Sequence, residues 1–225
     1  MSNLIFINYL LSKANKFYND EKFVKEDELN QALFYVNKAL SSETIPSNEL
    51  LCEAYFLRGK INWRLKNYIE SILDLDETIK IEKDHYLAFY YRGKAKKELS
   101  FFDEALDDID NAIKLNSNEI DFFVERAFLK VKLKLFSEAL DDLDYAINID
   151  HNSSFIFFQK GICESQLRNF GEAVKNFDIA LKKTLENDFH RKIIEIHRNH
   201  AEEKYIENFQ NLLNKNKIFI KYKNS

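Results

Sequence analysis

The stretch YLAFYYRGKAKKELSFFDEALDDIDNAIKL, residues 86–115, decides the fold. Across Phe89–Lys97, apolar and small residues recur three and four apart, the spacing of one helix face. Ser100-Phe101 interrupts that pattern, and a second one runs from about Phe102 to Leu115. The stretch reads as two antiparallel helices joined by a short turn. Gly93 falls inside the first helix, where glycine costs roughly 0.5–1 kcal/mol against alanine. Close approach of two helix backbones would offset that cost. Ala105 in the second helix is small enough to allow it.

Outward from this stretch, the same positions return at a fixed interval. Gly59, Gly93, Ala127 and Gly161 lie 34 residues apart (93−59, 127−93 and 161−127). Ser71, Ala105, Ala139 and Ala173 keep that register, as do Thr78, Ala112, Ala146 and Ala180. So do Leu65, Leu99, Leu133 and Leu167, and the aromatic set Tyr68, Phe102, Phe136 and Phe170. A period of this length indicates a stacked array of helix pairs, not a single globular core, and points to a binding scaffold.

These residues resemble the tetratricopeptide repeat, as four full units from about Cys52 to Asn187. The large residue at position 4 of that pattern is Tyr55, Phe89, Phe123 and Phe157. The small residues at positions 8, 20 and 27 are the three ladders above, and position 24 is Leu75, Ile109, Leu143 and Phe177. Two positions depart from the family. Position 32, usually proline, is Lys83, Ser117, His151 and Leu185; position 11, usually apolar, is Asn62, Lys96, Lys130 and Glu164. The resemblance implies an all-α fold, a right-handed superhelical solenoid of antiparallel helix pairs.

The expected array covers residues 1–187, with regular units at 52–85, 86–119, 120–153 and 154–187. An irregular unit precedes them at about 4–47. Its first helix is Leu4–Tyr18, and its second, 28–40, carries Ala32, Val36 and Ala39. Asn19–Glu28 is expected to be an extended loop, and Ser41–Asn48 an insertion holding the only proline, Pro46. Residues 188–215 read as an amphipathic helix that caps the apolar face left by the last unit. Residues 216–225 are expected to form a flexible tail.

Composition narrows the function classes. The 225 residues are 45% apolar and 14% aromatic, enough for an extended core. Net charge is −4, which argues against a general nucleic-acid binder. No stretch is long enough to span a bilayer, and the N-terminal apolar run lacks a basic leader. Two cysteines, Cys52 and Cys163, fall three units apart, beyond bridging distance, and suit a reducing, cytoplasmic setting.

Two charge ladders hold their sign in every unit. Position 25 is Asp76, Asp110, Asp144 and Asp178, and position 7 is Arg58, Arg92, Arg126 and Lys160. Pairing between neighbouring units is expected: Asp76 with Arg92, Asp110 with Arg126, Asp144 with Lys160. Exposed pairs of this kind contribute only about 0–1 kcal/mol each.

The resemblance implies that first helices line a concave, peptide-binding face. The candidate partner-binding residues there are Phe56, Leu57, Lys60, Trp63, Tyr90, Tyr91, Lys94, Lys97, Val124, Phe128, Phe155, Phe158 and Ile162. The face is aromatic, and its first half is basic through Lys60, Arg64, Lys94 and Lys97, while the second helices are acidic. An apolar or aromatic segment with acidic flanks is the expected ligand. The lysine and asparagine set with which some tetratricopeptide co-chaperones hold a terminal carboxylate is absent from the four regular units. The alternative is self-assembly, a homo-oligomer or a groove filled by the chain's own C-terminal helix. His190, His197 and His200 cluster near Glu203, but no HExxH motif and no nearby cysteine accompany them, so no metal is expected there. No phosphate loop, GxSxG or paired-cysteine motif appears, which excludes a cofactor and argues against an enzyme.

Overall fold

A computed structural model describes residues 3–18, 25–42, 47–185 and 188–223, with side chains to residue 212 in the last stretch. The expected loop at Asn19–Glu28 and the insertion around Pro46 fall largely outside the described residues. Those residues form eleven α-helices and no strand: α1 Asn3–Phe17, α2 Glu26–Leu40, α3 Asn48–Arg64, α4 Tyr68–Ile81, α5 Tyr86–Glu98, α6 Phe102–Leu115, α7 Ile120–Lys132, α8 Phe136–Ile149, α9 Ser154–Gln166, α10 Phe170–Lys183 and α11 Phe189–Lys223. The chain divides into two compact units, Met1–Phe122 and Phe123–Ser225.

In the first unit, α1 packs on α2, α3 on α4 and α5 on α6, while α2–α3 and α4–α5 contacts stack the pairs. Its core joins Ile7, Leu10 and Ala14 of α1 to Ala32, Val36 and Ala39 of α2 and to Ala54 and Ile61 of α3. Helices α1 and α2 therefore pack as a pair in one core with α3. In the second unit, α9 packs on α10, α8 on α9, and α11 on α10. Ile194 and Ala201 of α11 join Ala173, Phe177 and Ala180 in one core. Helix α11 thus stands where the first helix of a further repeat would stand, and its backbone stays helical to Lys223, past the expected end at 215.

The glycine ladder marks the helix crossings. A Cβ on Gly93 would lie 2.9 Å from Ile109 Cδ1 and 3.1 Å from the Ala105 carbonyl. On Gly59 it would lie 2.8 Å from Leu75 Cγ. Ser71 and Thr78 carry hydroxyls at positions 20 and 27, where the later units have alanine, and backbone carbonyls accept them. The Ser71 hydroxyl donates to Gly59 O at 2.8 Å, and Thr78 donates to Asp74 O at 3.0 Å.

The turn inside every regular unit is the same. Lys66, Ser100, Lys134 and Arg168 all have φ of 63–65°. At Lys66, its N–H donates to Trp63 O at 3.1 Å, and the next N–H, of Asn67, reaches back to Asn62 O at 2.9 Å. These are the two bonds of a Schellman helix end, built here without glycine. The same two bonds close α5, α7 and α9.

Candidate functional site

The first-unit candidates lie on α3 and α5. They form a lattice of rings interleaved with cations. Lys60 Nζ lies 4.7 Å from the Tyr18 ring centre and 4.9 Å from that of Phe56. Lys94 Nζ lies 4.0 Å from the Trp63 ring centre and 5.1 Å from that of Tyr90. Tyr91 stands edge-on to Phe56, Trp63 and Tyr90, at 6.1, 5.9 and 5.5 Å. Phe56, Lys60, Trp63, Tyr91, Lys94 and Lys97 are half-buried. Cations over ring faces are attracted by the ring quadrupole, about 0.5–2 kcal/mol each. The lysines expected to greet an acidic ligand are therefore first of all held by the rings beside them, and this fixes where their charge sits.

Two of the candidates belong to the packing. Leu57 is 3% exposed and lies in the core with Ile61 and Leu50, so it is not a surface residue. Its neighbour positions 56 and 60 face outward, and one step along a helix turns a side chain through about 100°. Tyr90 is 9% exposed and lies 4.6 Å, centre to centre, from Phe122. Three ring partners lay outside the candidate list: Tyr18, His85 and Phe122. The His85 ring sits 4.4 Å from Phe56. Their signal is aromatic residues at the ends of helices, which helix-face spacing alone does not reach.

In the second unit, Val124 and Phe128 on α7 are half-buried, and Phe155 on α9 is exposed. Phe155 and Phe158 line a cleft of about 350 Å³ whose opposite wall is Ile193 and Ile194 of α11. Ile162 lines a second cleft with His197 and His200. The C-terminal helix therefore forms one wall of both clefts beside the α9 candidates. His197 packs against both Phe158 and Phe177, at 5.5 and 6.1 Å, in a triangle of rings.

Burial beside these rings pushes the His197 imidazole below its ordinary 6.5, and the charge of His200 adds to the shift. As pH falls, the unfolded chain takes up this proton first. The group's contribution is complete above pH 6.5 and is lost as pH falls from there through the lower value it holds in the folded chain. Urea midpoints at about pH 7.5 and about pH 5.5 should therefore differ less for His197→Phe than for the unaltered chain. Equal acid losses in both proteins would contradict this assignment.

The electrostatics of the helix pairs are set by a residue the charge ladders missed, position 23. Asp74, Asp108 and Asp142 are buried acids inside the hairpins. Arg58 grips Asp74 with Nε and Nη2 at 2.9 and 2.6 Å. Arg92 and Arg126 do the same to Asp108 and Asp142. The polar residues at position 11 complete these clusters. Asn62 donates to Asp74 at 3.1 Å, Lys96 pairs with Asp108 at 2.7 Å, and Lys130 with Asp142 at 2.8 Å. The pairing expected between repeats is also present within each unit. Arg92 reaches Asp76 at 2.6 Å, and Lys160 pairs with Asp144. Arg198 of α11 takes the equivalent place opposite Asp178 at 3.0 Å.

No protein-family model matches the chain, and no curated protein matches it in sequence. Solved structures do match in fold. A tetratricopeptide repeat protein from Parabacteroides merdae is 18% identical with a TM-score of 0.72, over 96% of this chain and 80% of that one. YrrB, described as a TPR protein with an unusual peptide-binding site, is 19% identical with a TM-score of 0.67, over 88% and 90%. MamA is 21% identical with a TM-score of 0.63, over 70% and 90%. The helix pairs, their small-residue crossings and these likenesses together define a tetratricopeptide-repeat fold, all-α and built from stacked antiparallel pairs. Among the described residues no helix is long and apolar enough to cross a membrane.

Proposed function

We propose that the chain is a non-enzymatic protein-interaction scaffold of a reducing, cytoplasmic compartment. Its α3–α5 face takes an extended or helical segment carrying aromatic or apolar residues with acidic flanks. One observation carries this reading: half-buried rings and lysines alternate on that face. The rings supply contact area of the kind that dominates interface energy.

The test is a random-peptide display selection against the full chain. Peptides combining aromatic and acidic residues should be enriched. Their binding should change the emission of Trp63, the only tryptophan. Lys60→Met with Lys94→Met keeps the apolar stems and removes both charges. Affinity should fall at least tenfold, about 1.4 kcal/mol or more. Enrichment of basic peptides, or affinity unchanged in the double variant, would overturn the reading.

A second reading, self-assembly, is favoured by α11. Ile196, Phe209 and Leu212 on it are 68%, 56% and 60% exposed. Light scattering of the chain across a concentration series separates the two, since a scaffold with a free face stays monomeric.

A further inference from the structure

Three potential metal donors that are distant in sequence meet in the first unit. Cys52 opens the inward face of α3, Glu82 follows the last turn of α4, and His85 caps the start of α5. Their ligand atoms all lie within 4.8 Å of one another, the only such group of three among the described residues. The Cys52 thiol lies 3.6 Å from Glu82 Oε2, to which it donates. A tetrahedral ion with bonds of about 2.0–2.3 Å has donor-to-donor edges of about 3.3–3.8 Å. The sulfur and the carboxylate already stand at that spacing. His85 needs an approach of about an ångström.

We infer that Cys52, Glu82 and His85 form a binding site for a thiophilic divalent cation of the zinc type, with a fourth position left to water. The donor set is the one such ions take: one thiolate, one imidazole and one carboxylate. The His85 ring stands at the helix start, where its Nδ1 accepts the Ala88 N–H at 3.1 Å; the ion replaces that bond, because a neutral imidazole offers a single lone pair. The Phe56 ring packs against the imidazole, tilted, with the centres 4.4 Å apart. Glu82 is exposed at a helix end and free to turn toward an ion. Burial, with the Glu82 charge beside it, pushes the Cys52 thiol up to about 11. Without metal the thiol keeps its proton. Binding therefore exchanges one thiol proton for the ion, and the proton passes to solvent. The two anionic donors balance the ion's double charge, and the nearby Lys60 leaves the bound site with one positive charge. The ion would tie α3, α4 and α5 together, so the site would rigidify the repeat junction behind the Phe56 ring.

The probe is cobalt(II) added to the full chain, prepared without a histidine tag and treated with chelator. A near-ultraviolet thiolate-to-cobalt absorption should rise in one saturating step and be displaced by zinc. Cys52→Ser should remove the band, while Cys163→Ser, at the other free cysteine, should leave it intact. His85→Asn keeps an acceptor for the Ala88 N–H. It should weaken cobalt binding by at least about tenfold, the loss that even a supporting residue at a metal site causes. Glu82→Gln, on the surface, should weaken it in the same direction. No band in the unaltered chain, or a band that survives Cys52→Ser, overturns the site. Should Cys52→Ser fail to fold, unchanged cobalt affinity in both His85→Asn and Glu82→Gln overturns it equally. Binding without the thiolate band would place the ion away from Cys52 and overturn the site as well.

Discussion

Gly161→Ala should destabilise the second unit by about 1–3 kcal/mol, the range for overpacking a filled core. Alanine is the better helix former by roughly 0.5–1 kcal/mol, so propensity alone predicts the opposite sign. Sterics decide. The added Cβ would lie 2.6 and 2.7 Å from two carbons of the Phe177 ring, which is fully buried. That ring sits against His197 and Phe158 and shares the α9–α10–α11 core with Ile194. A fully buried ring shared by three helices can shift only by moving its neighbours or by pushing α9 and α10 apart. Gly171 is the control. It too is helical, but its Cβ would meet only Tyr205 Cε2, at 3.2 Å, and Tyr205 is half exposed and free to move. Gly171→Ala should therefore be neutral or stabilise by up to about 1 kcal/mol. Thermal and urea melts of both variants check this. At about 2–4 °C per kcal/mol for a chain of this size, the two changes should move the midpoint in opposite directions. Equal shifts would mean that the 34-residue ladder of small residues reports composition and not helix crossing.

That contrast shows what was legible in the sequence. The hairpins, their register and the crossings were, because each repeats a helix-face pattern that a glycine or alanine can satisfy in only one way. Helices α4, α6, α8 and α10 stand where the spacing of small residues put them. The pairing of Arg92 with Asp76 was legible for the same reason, since both signs recur at fixed offsets. The turns were legible only as interruptions. The left-handed residue is lysine, serine, lysine and arginine, and without glycine there is no chemical mark of a Schellman end.

The candidate site was half legible. Helix periodicity distinguishes a face but not its depth, so Leu57 read as a surface residue and proved to be core. The lysines of the face were legible, but not their restraint by Tyr18, Phe56 and Trp63, because ring-to-cation geometry joins residues from α3, α5 and the end of α1. Cys52, Glu82 and His85 were invisible as a group for the same reason. They lie at the start of one helix, just past the end of the next and just before a third, at spacings that match no short motif.

Asp108→Ala should cost about 2–3 kcal/mol, and Asp107→Ala, one residue away on the exposed face, less than about 0.5 kcal/mol. The argument is about what the missing carboxylate leaves behind. Asp108 has a side chain 4% exposed and receives Arg92 Nη2 at 2.5 Å and Lys96 Nζ at 2.7 Å. Removing one partner of a buried pair costs about 3–5 kcal/mol when the other charge is left without compensation. Here the cost is smaller, because Arg92 keeps Asp76 and both cations retain some access to water. Asp108→Asn keeps the shape and one acceptor and should fall between the two alanine variants. Urea unfolding of the three proteins, with the slope checked for constancy, measures the order. Equal losses at 107 and 108 would reduce the position-23 acids to surface charges. The repeats themselves argue against that outcome. Where position 11 offers a donor, as Asn62, Lys96 and Lys130 do, position 23 is aspartate. Where position 11 turns acidic, at Glu164, whose Oε2 accepts the Asn169 amide at 2.8 Å, position 23 becomes Asn176, and its amide donates to Glu172 O at 2.9 Å. Two solvated positions have no reason to exchange charge in step. Two positions that share one buried space do, because a second carboxylate there would find no cation to accept.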